Sequence, residues 1–150
     1  MRQWSSAALL DFIGRSEPVH HGAVGSIGYC MDGQFVIRAA AAYPERFLAN
    51  ACLHGAPLVT DREDSPHRLV RRLRGELYCG FAEKDPQATP SIRAALDQAI
   101  AECPVEYRAV VHAGAEHGYA LPDRDIYDKA AANRDWELTF AMFRRQLSAQ

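Results

Sequence analysis

GSIGYCMDGQ (residues 25–34) ends a short apolar run on a cysteine and sets that cysteine between Gly28 and Gly33. The run AVGSIGYC (23–30) follows the turn-like SEPVHHG and reads as a buried strand. Directly after it, DGQFVIRAAAAY (32–43) is rich in helix formers and stops before Pro44. The local reading is strand, sharp bend, helix, with Cys30 on the bend. A side chain held there is pushed above the sheet. Its sulfur lies near the N-terminus of the next helix, whose dipole favours thiolate over thiol.

Outward from this stretch, strands and helices alternate. FLANACLH (47–54) reads as a second strand, and Ser65-Pro66 supplies an N-cap and first-turn proline for HRLVRRLR. ELYCGFAEKD (76–85) reads as a third strand running into a loop. Thr89-Pro90 repeats the cap signal ahead of a helix whose apolar face is Ile92, Ala95, Leu96, Ala99 and Cys103. VEYRAVVH (105–112) is a fourth strand and GAEHGYALPDRD a loop. A last helix is predicted from about Ile126 to Leu147, with Ala132, Trp136, Phe140, Phe143 and Leu147 as its apolar stripe. On this reading Trp136, Phe140 and Phe143 are core. The alternation predicts an α/β domain with a mostly parallel sheet and helices on both faces.

Composition narrows the function classes. The 150 residues fit a single domain, 1–150, and 48% are apolar, enough for a substantial core. A net charge of −2 gives no electrostatic case for nucleic acid or an anionic membrane as partner. No apolar run approaches the roughly 20 residues of a membrane span. The opening MRQWSSAALLDFIGR lacks a signal peptide's uninterrupted apolar centre, so a cytoplasmic location is expected. Cys30, Cys52, Cys79 and Cys103 form no paired framework and read as reduced thiols. No cluster with metal-ligand spacing occurs, so no metal is expected. Arg68, Arg71, Arg72 and Arg74 read as a solvated helix face. His54 and His112, at strand ends, either line a cleft or pack at the core or rim.

In a parallel sheet, chemistry gathers past the carboxyl ends of the strands. Cys30 is a candidate nucleophile there, and the backbone N–H of Met31 a candidate oxyanion donor. Asp85 follows the third strand and His117 the fourth, giving the chain order nucleophile, acid, histidine. Gly28 and Gly33 are read as elbow residues, and glycine at 28 is expected because strand and helix approach closely there.

G-Y-C-M-x-G, F-A-E-K-D-P and H-x-G-x-x-H-G-Y, followed by Y-D-x-A-A and an aromatic-rich terminal helix, together resemble the dienelactone hydrolase family from about Gly25 to Leu147. The resemblance implies an α/β-hydrolase fold and hydrolysis of small esters or lactones by Cys30 as nucleophile, His117 as base and Asp85 as orienting carboxylate. No cofactor is implied. The family's domain has several strands before the elbow strand, so a partial fold is expected. It would lack a second oxyanion donor and leave the elbow strand as a sheet edge open to self-association or a homodimer. Asp32 stands where relatives carry a small residue. The arginine that relatives place shortly after the histidine to hold a substrate carboxylate is absent, since Gly118, Tyr119, Ala120 and Leu121 follow His117. A dienelactone is therefore not the expected substrate. The alternative reading is a catalytically impaired hydrolase fold serving as a binding module or surviving as a remnant.

Overall fold

The computed structural model describes residues 6–15 and 22–147. Four strands, β1 (Val24–Tyr29), β2 (Phe47–Leu53), β3 (Glu76–Lys84) and β4 (Glu106–Glu116), form one sheet in the order β1-β2-β3-β4. Every neighbouring pair is parallel. The helices are α1 (Ser6–Arg15), α2 (Asp32–Ala42), α3 (Pro66–Leu69), α4 (Pro90–Ile100) and α5 (Lys129–Leu147), and a 3-10 turn at Val70–Arg72 extends α3. Among the described residues β1 pairs only with β2 and forms one edge of the sheet. None of the described helices is long and apolar enough to cross a membrane.

Side-chain alternation along the strands gives the sheet two covered faces. Cys52, Leu77, Cys79 and Phe81 pack with Val36 and Ile37 of α2, Val70, and Leu96 and Ile100 of α4. The alternate positions Ala51, Leu53 and Tyr78 meet Met142 of α5. Three crossovers of one hand therefore place α2, α3 and α4 on one face, and α5 returns across the other.

Local chemistry sets the helix ends. Tyr43 closes α2 by donating its N–H to Ala39 O at 3.0 Å, and Pro44 bars another turn. Thr89 Oγ1 accepts from Ile92 N at 3.4 Å, with Pro90 in the first turn of α4. Ser65 occupies the N-cap of α3 with Pro66 in the first turn, but its side chain makes no capping hydrogen bond. Its hydroxyl accepts from Thr60 N at 2.9 Å and lies 2.8 Å from His67 Nδ1. The four arginines from 68 to 74 are exposed, and all four cysteines are free thiols.

Three expectations need correction. The loop predicted to begin at Gly114 begins later, because β4 continues to Glu116. Ala82 and Lys84 of β3 lie opposite His112 and Glu116, so β4 absorbs two extra residues in a bulge. Gly114 occupies it at φ +74°, its N–H bonded to Glu83 Oε2 at 2.7 Å. Second, α5 starts at Lys129, where Asp128 Oδ1 accepts from the N–H groups of Ala130 and Ala131. Third, Trp136 and Phe140 are not core. Phe140 is 49% exposed and stacks on the half-buried Trp136 with ring centres 5.2 Å apart. The buried face of α5 is Ala131, Ala132, Asp135, Thr139 and Met142. It is rotated from the predicted stripe because it includes an aspartate with buried partners.

Candidate active site

Cys30 sits between β1 and α2 at φ 51°, a left-handed conformation that a non-glycine residue holds only when its surroundings enforce it. Its N–H donates to Leu53 O at 3.1 Å, and its carbonyl accepts from Ala56 N at 2.9 Å and Gly33 N at 3.1 Å. The bend is thus tied to the end of β2. Close packing explains the flanking glycines. A Cβ on Gly28 would lie 2.6 Å from the carbonyl oxygen of Asp32, and one on Gly33 would lie 2.8 Å from Gly55 Cα. The tight approach falls at 28 and 33, while Asp32 faces solvent. Met31 is the N-cap of α2, one of the positions whose N–H the helix leaves unbonded.

Three strand ends converge above this bend. His117 Nε2 lies 3.1 Å from Cys30 Sγ, and His117 Nδ1 lies 2.7 Å from Asp85 Oδ2. Asp85 has no exposed side-chain surface, and its Oδ1 accepts from Gln87 N at 2.8 Å. The carboxylate is an acceptor only, so the proton of a neutral His117 rests on Nδ1 and Nε2 faces the thiol as an acceptor. The His117 side chain is 20% exposed, which leaves the sulfur–imidazole side open to a reactant. Chemically, such a line transfers a thiol proton to imidazole while the carboxylate stabilises the resulting cation.

His54, at the end of β2, is fully buried with φ 40°. Among the described residues neither ring nitrogen has a hydrogen-bond partner. Its ring stands edge-on to His117, with centres 5.1 Å apart. Burial and then the adjacent charge of His117 lower its pKa to about 4. Below its ordinary value of 6.5 the unfolded chain takes up a proton that folded His54 refuses, so stability falls with pH until the folded residue also titrates near 4. We expect His54→Phe to lose less stability than wild type between pH 7 and pH 4, by about 3 kcal/mol in urea unfolding. Parallel pH dependences of the two proteins would refute this.

A second buried group escaped the sequence reading. Asp135 on α5 is wholly buried and accepts from the hydroxyls of Tyr78 and Tyr119, with His112 Nε2 at 2.6 Å from Oδ1. The available signal was a polar residue in register with Ala131, Ala132, Thr139 and Met142 on one helical face. His112, like His54, packs inside. Among the described residues no group of three or more His, Cys, Asp and Glu side chains gathers into a metal-ligand set.

A parallel sheet with helices on both faces, a strained strand-to-helix bend and three chemically matched strand ends define an α/β-hydrolase fold. The dienelactone hydrolase family profile matches residues 5–147, and the chain belongs to that family. It is 25% identical over 127 residues to a Synechocystis sp. protein named as a carboxymethylenebutenolidase, covering 83% of this chain and 51% of that protein. It is 23% identical over 142 residues to protein usf of Aquifex pyrophilus, covering 94% and 59%. A Klebsiella pneumoniae structure described as a dienelactone hydrolase superposes with a TM-score of 0.83 at 18% identity, covering 93% of this chain and 58% of that one. The chain thus spans between half and three-fifths of the length of these relatives.

Proposed function

We propose that this hydrolase-family chain cleaves small carboxylic esters or lactones, with Cys30 as nucleophile, His117 as general base and Asp85 as orienting carboxylate. The observation that carries this reading is the unbroken line from Cys30 Sγ through His117 to Asp85 Oδ2, with contacts of 3.1 and 2.7 Å. His117 takes the thiol proton as sulfur attacks the ester carbonyl. The negative oxygen of the tetrahedral adduct is met by the Met31 N–H at the start of α2. When the C–O bond breaks, the alcohol leaves with the proton from His117 and the acyl group remains on sulfur. Water then donates a proton to His117 and adds to the thioester carbonyl. The C–S bond breaks, and the thiolate regains the proton as the acid departs. The domain is one α/β-hydrolase unit acting in a reducing, cytoplasmic compartment, a location supported by four free thiols.

The four thiols supply the test. Cys52 and Cys79 are fully buried, whereas Cys103, like Cys30, is partly exposed but bonded to Ala99 O. With iodoacetamide at pH 7, peptide mass mapping should show Cys30 modified at least about tenfold faster than Cys103, because among the described residues Cys30 has a histidine ring nitrogen at 3.1 Å and Cys103 bonds a backbone carbonyl. Equal rates at the two exposed thiols would refute an activated nucleophile.

A further inference from the structure

Beneath the proposed triad, between the sheet and α5, lies a polar layer that the mechanism above does not use. Asp135 rests flat on the sheet at Gly80, where a Cβ would come within 2.6 Å of both its Oδ1 and the Tyr119 hydroxyl. Tyr78 and Tyr119 are 2% and 0% exposed, and both donate to this carboxylate. Burial, and then Asp135 itself, push the Tyr119 hydroxyl far above its ordinary pKa, so it stays a donor.

Tyr119 connects the layer to His117. Its ring stands edge-on to His54 with centres 5.5 Å apart, and His54 in turn stands edge-on to His117 at 5.1 Å. Tyr29, next to the nucleophile, closes the other side of His54 at 5.8 Å. His54 has no side-chain hydrogen bond among the described residues, so packing, these three rings included, fixes its place.

We infer that Asp135 is a positioning residue for His117, acting through the Tyr119 and His54 rings, and that this brace matters most once Cys30 is acylated. The inference rests on the triad reading. In the resting site His117 is held at both ends, by Asp85 and by Cys30 Sγ. Acylation removes the sulfur's proton and with it one of those two hydrogen bonds. The imidazole is then free to swing about its bond to Asp85 unless the edge of His54 blocks it. Deacylation needs Nε2 aimed at a water, so it feels a loosened brace more than acylation does, and a misplacement of about 1 Å in such a step is worth up to a hundredfold.

Tyr119→Phe deletes one hydroxyl and keeps the ring, and Asp135→Asn weakens the whole cluster. If the latter fails to fold, the former carries the test. Each protein is mixed with excess p-nitrophenyl acetate and rapidly desalted, and the decay of acetyl-Cys30 is followed by intact mass. First-turnover nitrophenolate release is measured in parallel. The variants should release nitrophenolate within about twofold of wild type, while their acetyl-enzyme lasts about tenfold longer. Unchanged lifetimes, or equal slowing of both steps, would leave Asp135 as a structural residue and overturn the inference. A wild-type chain never acetylated at residue 30 would overturn the triad itself, and this inference with it.

Discussion

Cys30→Ala is expected to remove nearly all of the p-nitrophenyl acetate hydrolysis. The alanine variant keeps the bend, because the three backbone hydrogen bonds that tie residue 30 to Leu53, Ala56 and Gly33 involve no side chain. What it loses is the sulfur that lies 3.1 Å from His117 Nε2. Removing a nucleophile from a triad of this kind typically costs on the order of a millionfold in kcat, with a residue of roughly a thousandfold over water from the oxyanion site and binding. The check is spectrophotometric, at matched protein concentration and with circular dichroism confirming the fold. Hydrolysis that survives at more than a hundredth of the wild-type rate would place the chemistry elsewhere.

Asp85→Asn should cost nearly as much without disturbing the structure. Asparagine retains an oxygen to accept from Gln87 N, as Asp85 Oδ1 does at 2.8 Å. Its amide nitrogen would then face His117 Nδ1 across the present 2.7 Å contact, and two donors cannot share that space. The imidazole answers by moving its proton to Nε2, which then meets Cys30 with a hydrogen instead of a lone pair. Loss of about 10⁴-fold in kcat is the expected result. It should come with little change in KM, since Asp85 is buried away from the open side of the site. A variant with at least a tenth of wild-type kcat would show that His117 needs no orienting carboxylate.

The order of elements was legible because the central strands β2 and β3, buried on both faces, are written as continuous apolar runs. The more exposed edge strands β1 and β4 still carry short apolar runs between turn and cap signals. Thr89-Pro90 and Tyr43-Pro44 mark helix boundaries through chemistry that acts over two or three residues. The line of Cys30, His117 and Asp85 was legible for a related reason: each follows a strand, and the fold gathers strand ends. Asp135 was not. A carboxylate in a helix is ordinarily read as facing water, and its burial depends on Tyr78 and Tyr119, which stand 57 and 16 positions away. It also depends on the missing side chain at Gly80, which no helical pattern reports. The continuation of β4 was hidden by Gly114, whose usual meaning is a break but which here occupies a bulge inside the strand. The apolar stripe through Trp136 and Phe140 had the right period but the wrong phase, because periodicity counts apolar residues and takes no account of a buried acid.

All of the sheet's pairings join strands separated by a full crossover, and the sulfur and imidazole that meet at 3.1 Å are 87 residues apart. Such a topology offers few early contacts to guide a collapsing chain, so assembly is intrinsically slow. The thiol meets the His117 imidazole only when β1 and β4 are both seated, with the two strands between them already in register. On the proposed triad, heightened reactivity at residue 30 would report the last stage of assembly. During refolding it should lag behind the recovery of helical signal.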